Sequence, residues 1–298
     1  NNKGIKKIKK IVMVDDGIGM DENTLVKSLQ FGNGSRLESR KSLGRFGIGL
    51  PNSSVSQCNR VDVYSWRNNK TLHTYLSVDE INKNDNQNIN EIKENELPNE
   101  IKKEINSQGK NGTVVIWSHC ARLDVAKAET LYNRITKDIS RTYRYFLDKK
   151  NKKFKTINIT YKIANSEYLK SFKPNDPMYL MENSTTPDYE KQAIMALRTK
   201  DDDNNEGNIE VKIQDPLTGK DVKANVTFRY SSIKPEIYSK ERKATSKFMT
   251  HLKRNQGISF VRAGREIDFG TFEFFDPSQS TERWWGCEIM FDPILDEV

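Results

Sequence analysis

Two glycine clusters on either side of a short helix constrain this chain more than any other feature. The first, Asp15-Asp16-Gly17-Ile18-Gly19-Met20, follows the apolar run Ile11-Val12-Met13-Val14, so residues 5–14 read as a strand running into a turn. Glycines there let the backbone approach a flat ring and take positive φ. A buried Asp15 carboxylate accepts a hydrogen bond from an exocyclic amine. Alone, D-x-G-x-G is an ordinary strand-to-turn sequence. The second cluster, Gly44-Arg45-Phe46-Gly47-Ile48-Gly49-Leu50, opens a helical segment over 44–58. Its backbone N–H groups and the positive end of the helix suit phosphate oxygens. No G-K-[ST] follows, so it is not a Walker A loop. It follows a loop rather than a strand, which argues against a Rossmann fingerprint.

Asp21 is placed to cap a helix over 21–31, with Leu25, Val26 and Leu29 on one face. A Gly/Ser/Arg/Lys-rich loop follows at 32–43. Residues 61–66 alternate as a strand, and 72–78 read as its hairpin partner. Residues 82–111, rich in Asn, Lys and Glu, read as a variable surface excursion with a short helix at 99–106. Residues 112–117 form a buried strand. Over 124–147 the spacing of Ala128, Leu131, Ile135, Ile139, Tyr143 and Phe146 predicts a helix with a core-facing stripe. The lysine run 149–153 marks a domain boundary. Beyond it, 157–163, 209–213, 224–230, 257–262 and 288–291 read as strands and 241–252 as a helix.

The longest purely apolar run is five residues, 193–197, far short of the ~20 a membrane helix needs. No signal peptide opens the chain. Cys58, Cys120 and Cys287 are widely spaced and odd in number, which fits reduced thiols in a cytoplasmic protein and neither a disulfide framework nor a zinc site. His73, His119 and His251 lack metal-ligand spacing. Lys and Arg number 49 against 41 Asp and Glu, a net +8. That balance suits a polyanionic partner, although the runs at 6–10 and 149–153 also read as solvated surface.

Taken in order, the pieces are a strand, D-x-G-x-G-M, a short helix, a Gly/Ser loop, L-G-R-F-G-I-G-L, a helix, and Gly112-Thr113 on a later strand. This order resembles the GHKL (Bergerat-fold) ATPase superfamily over roughly residues 8–120. Gly44 to Leu50 followed by Ser53-Ser54-Val55-Ser56-Gln57-Cys58 looks closest to bacterial MORC-like and heat-shock-chaperone-like members. The resemblance implies that Asp15 recognises the adenine amino group, with Gly17, Gly19 and Met20 lining the base pocket. It implies that residues 21–43 form an ATP lid and that Gly44, Arg45, Phe46, Gly47, Ile48 and Gly49 wrap the phosphates. Thr113 would support adenine through Asp15 or a water. Arg36, Arg40 and Lys41 in the lid read mainly as solvated charge.

The implied fold is α/β (α+β). A Bergerat-type ATP-binding sandwich over 1–148, helices on a mixed sheet, is followed by a transducer-like α/β domain over 149–298. Members also carry, ahead of the first strand, a helix with an acidic general base and a magnesium-holding Asn. Only ten residues precede Ile11, so the chain reads as a fragment whose sandwich is incomplete. Arg283 to Phe291 looks like a transducer strand, and no matching lysine loop follows it. Trp284 and Trp285 read as core or interface anchors. Arg262, Arg265 and Arg283 are candidates for a basic groove. The implied cofactors are ATP and Mg²⁺, with no metal ligand assigned. The implied activity is an ATP-driven clamp that dimerises when ATP is bound and acts on DNA or protein, as in DNA transactions or phage defence. The alternative is a non-catalytic, nucleotide-gated binding or dimerisation module.

Overall fold

The computed structural model describes residues 7–32, 47–84, 91–104, 109–187, 207–233, 246–274, 276 and 278–297. The chain divides into two compact units, Asn1–Tyr132 and Asn133–Val298.

The first unit is built on one sheet. Its strands are β1 (Lys10–Asp15), β2 (Arg60–Arg67), β3 (Lys70–Ser77), β4 (Lys93–Glu94) and β5 (Gly112–Ser118), in the order β1-β5-β2-β3-β4. The expected mixed sheet is corrected here, because every pairing is antiparallel. β1 and β2 run the same way, but β5 inserts between them in the opposite sense, so no parallel neighbours meet. β2 and β3 form the expected hairpin. Its two-residue turn, Asn68-Asn69, has positive φ at both positions, the backbone that matches strand twist and that Asn tolerates.

Strand alternation sorts the side chains onto two faces. On one lie α1 (Glu22–Leu29) and α2 (Gly49–Gln57). Asp21 caps α1 as expected, accepting the Thr24 N–H at 2.8 Å. Leu25 and Leu29 are fully buried against Val61, Val63, Leu72 and Leu76. α2 is fixed to the sheet by Ser54 Oγ, which accepts from Trp117 Nε1 at 2.9 Å. The opposite face holds Tyr64, Trp66, Val114 and Ile116, covered by Leu97 and by Ile101 of α4 (Asn99–Glu104). The segment read as a surface excursion therefore closes half of this unit's core. Its few apolar residues land where the sheet needs a lid, and Trp66 Nε1 donates to the Gly109 carbonyl at 2.9 Å. α3 (Val78–Asn84) follows β3 directly.

α5 (Ala128–Thr142) ends at Tyr143, which leaves helical geometry at φ −105°, ψ 17°. A separate turn, α6 (Arg144–Leu147), follows. Leu131, Ile135 and Ile139 of the predicted stripe are half-buried, and Ser140 is the buried residue of α5.

The second unit carries a hairpin of β6 (Thr160–Lys162) and β7 (Leu169–Ser171). Its sheet comprises β8 (Asn208–Gln214), β9 (Asp221–Ser232), β10 (Ile258–Arg262), β11 (Arg265–Gly270) and β12 (Trp285–Phe291). The order is β11-β10-β12-β9-β8, mixed because β10 and β12 are parallel. Helix α7 (Lys247–Asn255) lies between β9 and β10 in sequence and is capped by Ser246, which accepts from Met249 N. Residues 241–245 of the predicted helix lie outside the described residues.

The interior of this unit is polar where α6 meets the sheet. Arg144, fully buried, donates to Glu266 at 2.6 Å, Ser259 at 2.6 Å and Glu288 at 2.5 Å. Glu288 also accepts from Tyr145 at 2.5 Å and from Arg229 at 2.9 Å. Burial pushes the Glu288 carboxyl up, but Arg144 and Arg229 outweigh it and hold it below the usual carboxylate range. Arg262, proposed above for a basic groove, is instead buried, 2.9 Å from Asp296. Trp284 packs on the cluster of Tyr179, Ile233, Phe248, Met249 and Leu252.

Candidate functional site

The site is assembled across three adjacent strands. Asp15 ends β1, and its register partner on β5 is Thr113. Thr113 in turn faces Ser65 on β2. Alternation therefore sets Asp15, Thr113 and Ser65 in one row on the face that carries α1 and α2. Thr113 and Ser65 are buried. Asp15 was expected to be buried; it is exposed, because β1 is an edge strand and Asp15 is its last residue. Asp15 Oδ1 accepts the Gly17 N–H at 2.8 Å, which folds the chain back over the strand end.

Gly19 has φ +70°, and a Cβ there would lie 2.4 Å from the Trp66 carbonyl oxygen. Only glycine lets the chain press this closely onto β2. Met20 is half-buried against the core, and its N–H donates to Ser65 Oγ at 2.7 Å. Gly112 is equally tight: a Cβ would meet the Trp66 ring at 2.4 Å and the Asp15 carbonyl at 2.5 Å. The strand-end geometry is thus set by Gly19, Ser65 and Gly112. Ser65 carries no motif of its own; its signal is a small polar residue where the alternation of Val61 and Val63 calls for an apolar one.

Of the second cluster, Gly44, Arg45 and Phe46, like Arg36, Arg40 and Lys41, lie outside the described residues. Gly47 has φ +64° and Ile48, half-exposed, is the N-cap of α2. Among the described residues no side chain caps this helix. The first helical amides, those of Gly49 and Leu50, therefore lack the intrahelical partner that interior amides have. Among the described residues nothing lies within 4 Å of where a Gly49 Cβ would be. Leu50 and Met20 pack against the same core cluster, so both motifs sit on one face of one sheet. An uncapped helix start behind glycine fits phosphate, and an outward-facing carboxylate at a strand end fits a hydrogen-bond donor on a base.

Of the span 21–43 that the resemblance implies as a lid, α1 carries two fully buried leucines and belongs to the core layer, and residues 33–43 lie outside the described residues. Cys58 and Cys120 are free and buried. Burial pushes Cys58 up to about 11 and Cys120 upward as well. Among the described residues no group of three His, Cys, Asp or Glu is placed to hold a metal ion.

Residues 1–113 match the family of histidine kinase-, DNA gyrase B-, and HSP90-like ATPases. The match ends at Thr113, the partner of Asp15. It supports the GHKL superfamily for this unit, and with it ATP binding, with Mg²⁺ as the customary companion of ATP in that family. The α and β architecture, with an antiparallel sheet in this unit, is consistent with a GHKL-type α+β fold. A search of curated proteins returned no match. Among the described residues, no helix is long and apolar enough to cross a membrane.

Proposed function

We propose that the GHKL-type unit binds ATP with its adenine at Asp15 and its phosphates at the start of α2. Gly17, Gly19 and Met20 line the base, and Thr113 orients the polar floor. Gly44, Arg45, Phe46, Gly47, Ile48 and Gly49 wrap the phosphates. The supporting observation is that the row Asp15–Thr113–Ser65 and the uncapped start of α2 share one face of one sheet. Mg²⁺ would offset the charge of the phosphates, and hydrolysis would need an acidic group to take the proton of the attacking water; no residue of this chain is assigned that role. The second unit acts as a transducer. Nucleotide binding closes a homodimeric clamp of MORC-like or chaperone-like type on DNA or a protein client, as in DNA transactions or phage defence.

The test is calorimetric titration with a non-hydrolysable ATP analogue and with a GTP analogue, in Mg²⁺, on the native chain and on Asp15→Asn. Adenine-selective binding that the substitution abolishes supports the assignment. Equal binding of both nucleotides, or undiminished binding to Asp15→Asn, removes Asp15 as the base reader. ATP binding without phosphate release, with nucleotide-dependent mass in light scattering, turns the reading to a nucleotide-gated dimerisation module.

A further inference from the structure

The net charge of the chain is concentrated in one place. Residues 149–173 hold eight lysines (149, 150, 152, 153, 155, 162, 170 and 173) against a single acid, Glu167, a net +7 of the total +8. All eight lysines are exposed. Held together on a folded surface they repel one another, and a polyanion is the partner that relieves this.

The lysine run is an ordered platform. Asp148 Oδ1 accepts the Lys150 N–H at 3.0 Å, and Asn151 Oδ1 accepts the Lys153 N–H at 2.8 Å. Asn151 Nδ2 donates to the Tyr145 carbonyl at 2.6 Å. Phe154 packs on the rings of Tyr145 and Phe146 at 5.7 and 5.5 Å. The Ile157 N–H bonds to the Phe146 carbonyl at 2.8 Å, which fastens the following hairpin to the same helical turn.

Between platform and hairpin lies a cleft of about 690 Å³ lined by Lys149, Lys150, Asn158, Thr160, Ser171 and Lys173, among others. Asp148 and Glu182 also line it. Glu182 is paired with Lys150, and Asp148 is engaged by the Lys150 amide. Strand alternation sets Lys162 and Leu169 on the hairpin face of Thr160 and Ser171. Lys149 and Lys173, with Lys162 beside them, and the neutral donors Asn158, Thr160 and Ser171 thus border one concave strip together with the apolar Ile157, Ile159 and Phe172, and such cations and donors are what phosphodiester oxygens engage.

We propose that this cleft, in the second unit, is a docking surface for duplex DNA, held through its phosphates without reading sequence. A flat anionic membrane fits a concave strip poorly. Single strands are bound by stacking on open aromatic faces. Here Tyr161 and Tyr168 are half-buried and packed edge to face at 6.4 Å. The inference goes beyond the nucleotide reading and stands whether or not ATP binds.

The experiment is fluorescence anisotropy of a labelled duplex of about 30 base pairs, titrated without nucleotide between about 50 and about 200 mM salt. Each phosphate contact contributes about 0.9 to the slope of log affinity against log salt. The combined variant Lys149→Gln, Lys162→Gln, Lys173→Gln is expected to lower that slope by about 2 to 3 and affinity at least about tenfold. The Lys→Arg version of the same three positions is expected to keep binding, which separates charge from folding. The control Lys212→Gln, Lys220→Gln, Lys223→Gln removes equal charge from the β8–β9 hairpin and is expected to change affinity less than about twofold. Equal losses in patch and control variants overturn the proposal. So does absence of duplex binding at the lowest salt, or a preference for single strands or for anionic phosphatidylserine vesicles. Asp15→Asn is expected to bind the duplex like the native chain, so failure of the nucleotide site and failure of this surface are read separately.

Discussion

Met20 donates its backbone N–H to Ser65 Oγ across 2.7 Å, and this bond ties the glycine turn to the middle of the sheet. Ser65 Oγ lies 3.0 Å from the Gly112 carbonyl and 3.3 Å from Thr113 Oγ1. A hydroxyl has one proton and two lone pairs. It donates to Gly112, so it accepts from both Met20 and Thr113, and its capacity is full. Ser65→Ala leaves the Met20 amide without this partner in a part-buried position. The expected loss is about 1–3 kcal/mol, together with weaker nucleotide binding. Urea denaturation of native and variant protein checks the first, and calorimetric titration the second.

Gly19→Ala tests the closest approach in the site. The residue sits at φ +70°, and the added methyl would overlap the Trp66 carbonyl at 2.4 Å. That contact is with backbone, which has no rotamer to move. The strained dihedral alone costs about 1–2 kcal/mol, and the overlap adds displacement of β2 or of the turn. We expect a lowered melting temperature and loss of measurable ATP-analogue binding. Gly32→Ala is the control: it has a similar φ, +71°, and among the described residues nothing within 4 Å of the new methyl. Equal effects of the two substitutions would assign the cost to backbone conformation and not to the approach onto β2.

The first unit was legible where local chemistry decides. Asp21 caps its helix, Leu25 and Leu29 face the core, and the β2–β3 hairpin forms, because each follows from residues adjacent in sequence. What escaped depends on partners distant in the chain. Leu97 and Ile101 look minor among Asn, Lys and Glu, yet they cover Tyr64 and Trp66. Asp15 reads as buried because the run before it is apolar, but it ends an edge strand, and edge position is a property of sheet order. Ser65 acquires its role only when β5 and the Met20 turn arrive on either side of it. In the second unit, Glu288 lies within a run read as a strand, but nothing local indicates that Arg144 and Arg229 meet it.

Glu288→Gln tests that network. The substitution preserves shape and removes the charge that neutralises Arg144 and Arg229 in the interior. Breaking a buried pair at one partner costs about 3–5 kcal/mol, against about 0–1 kcal/mol for an exposed pair. Glu288→Gln is therefore expected to destabilise the protein more than Glu210→Gln, which breaks the exposed pair with Lys223. Chemical denaturation monitored at the tryptophans measures both. The Glu288 carboxyl is held below its unfolded value, so its contribution is full above the usual carboxylate range and is lost as pH falls through the folded value.

His251 adds a second pH dependence, in a higher window. Its Nε2 lies 2.9 Å from Asn255 Nδ2 and 3.3 Å from Thr186 Oγ1. Asn255 is oriented by its other bonds: Oδ1 accepts from Arg141, and Nδ2 donates to Asn175 Oδ1 at 3.0 Å. An amide nitrogen has no lone pair to offer, so His251 Nε2 accepts, and the ring is neutral with its proton on Nδ1. Burial, then the charges of Arg141 and Arg254, push its pKa down to about 4 from 6.5. The unfolded chain takes up a proton near 6.5 that the folded one refuses until about 4. This group's contribution is therefore intact above pH 6.5 and declines as pH falls toward 4, by about 3 kcal/mol at most. Stability measured by urea denaturation between pH 7 and 4 is expected to fall along this course. His251→Asn, which cannot titrate, is expected to flatten that part of the profile while lowering stability at pH 7 through the altered Asn255 contact. An unchanged profile in the variant would place the pH dependence on other groups.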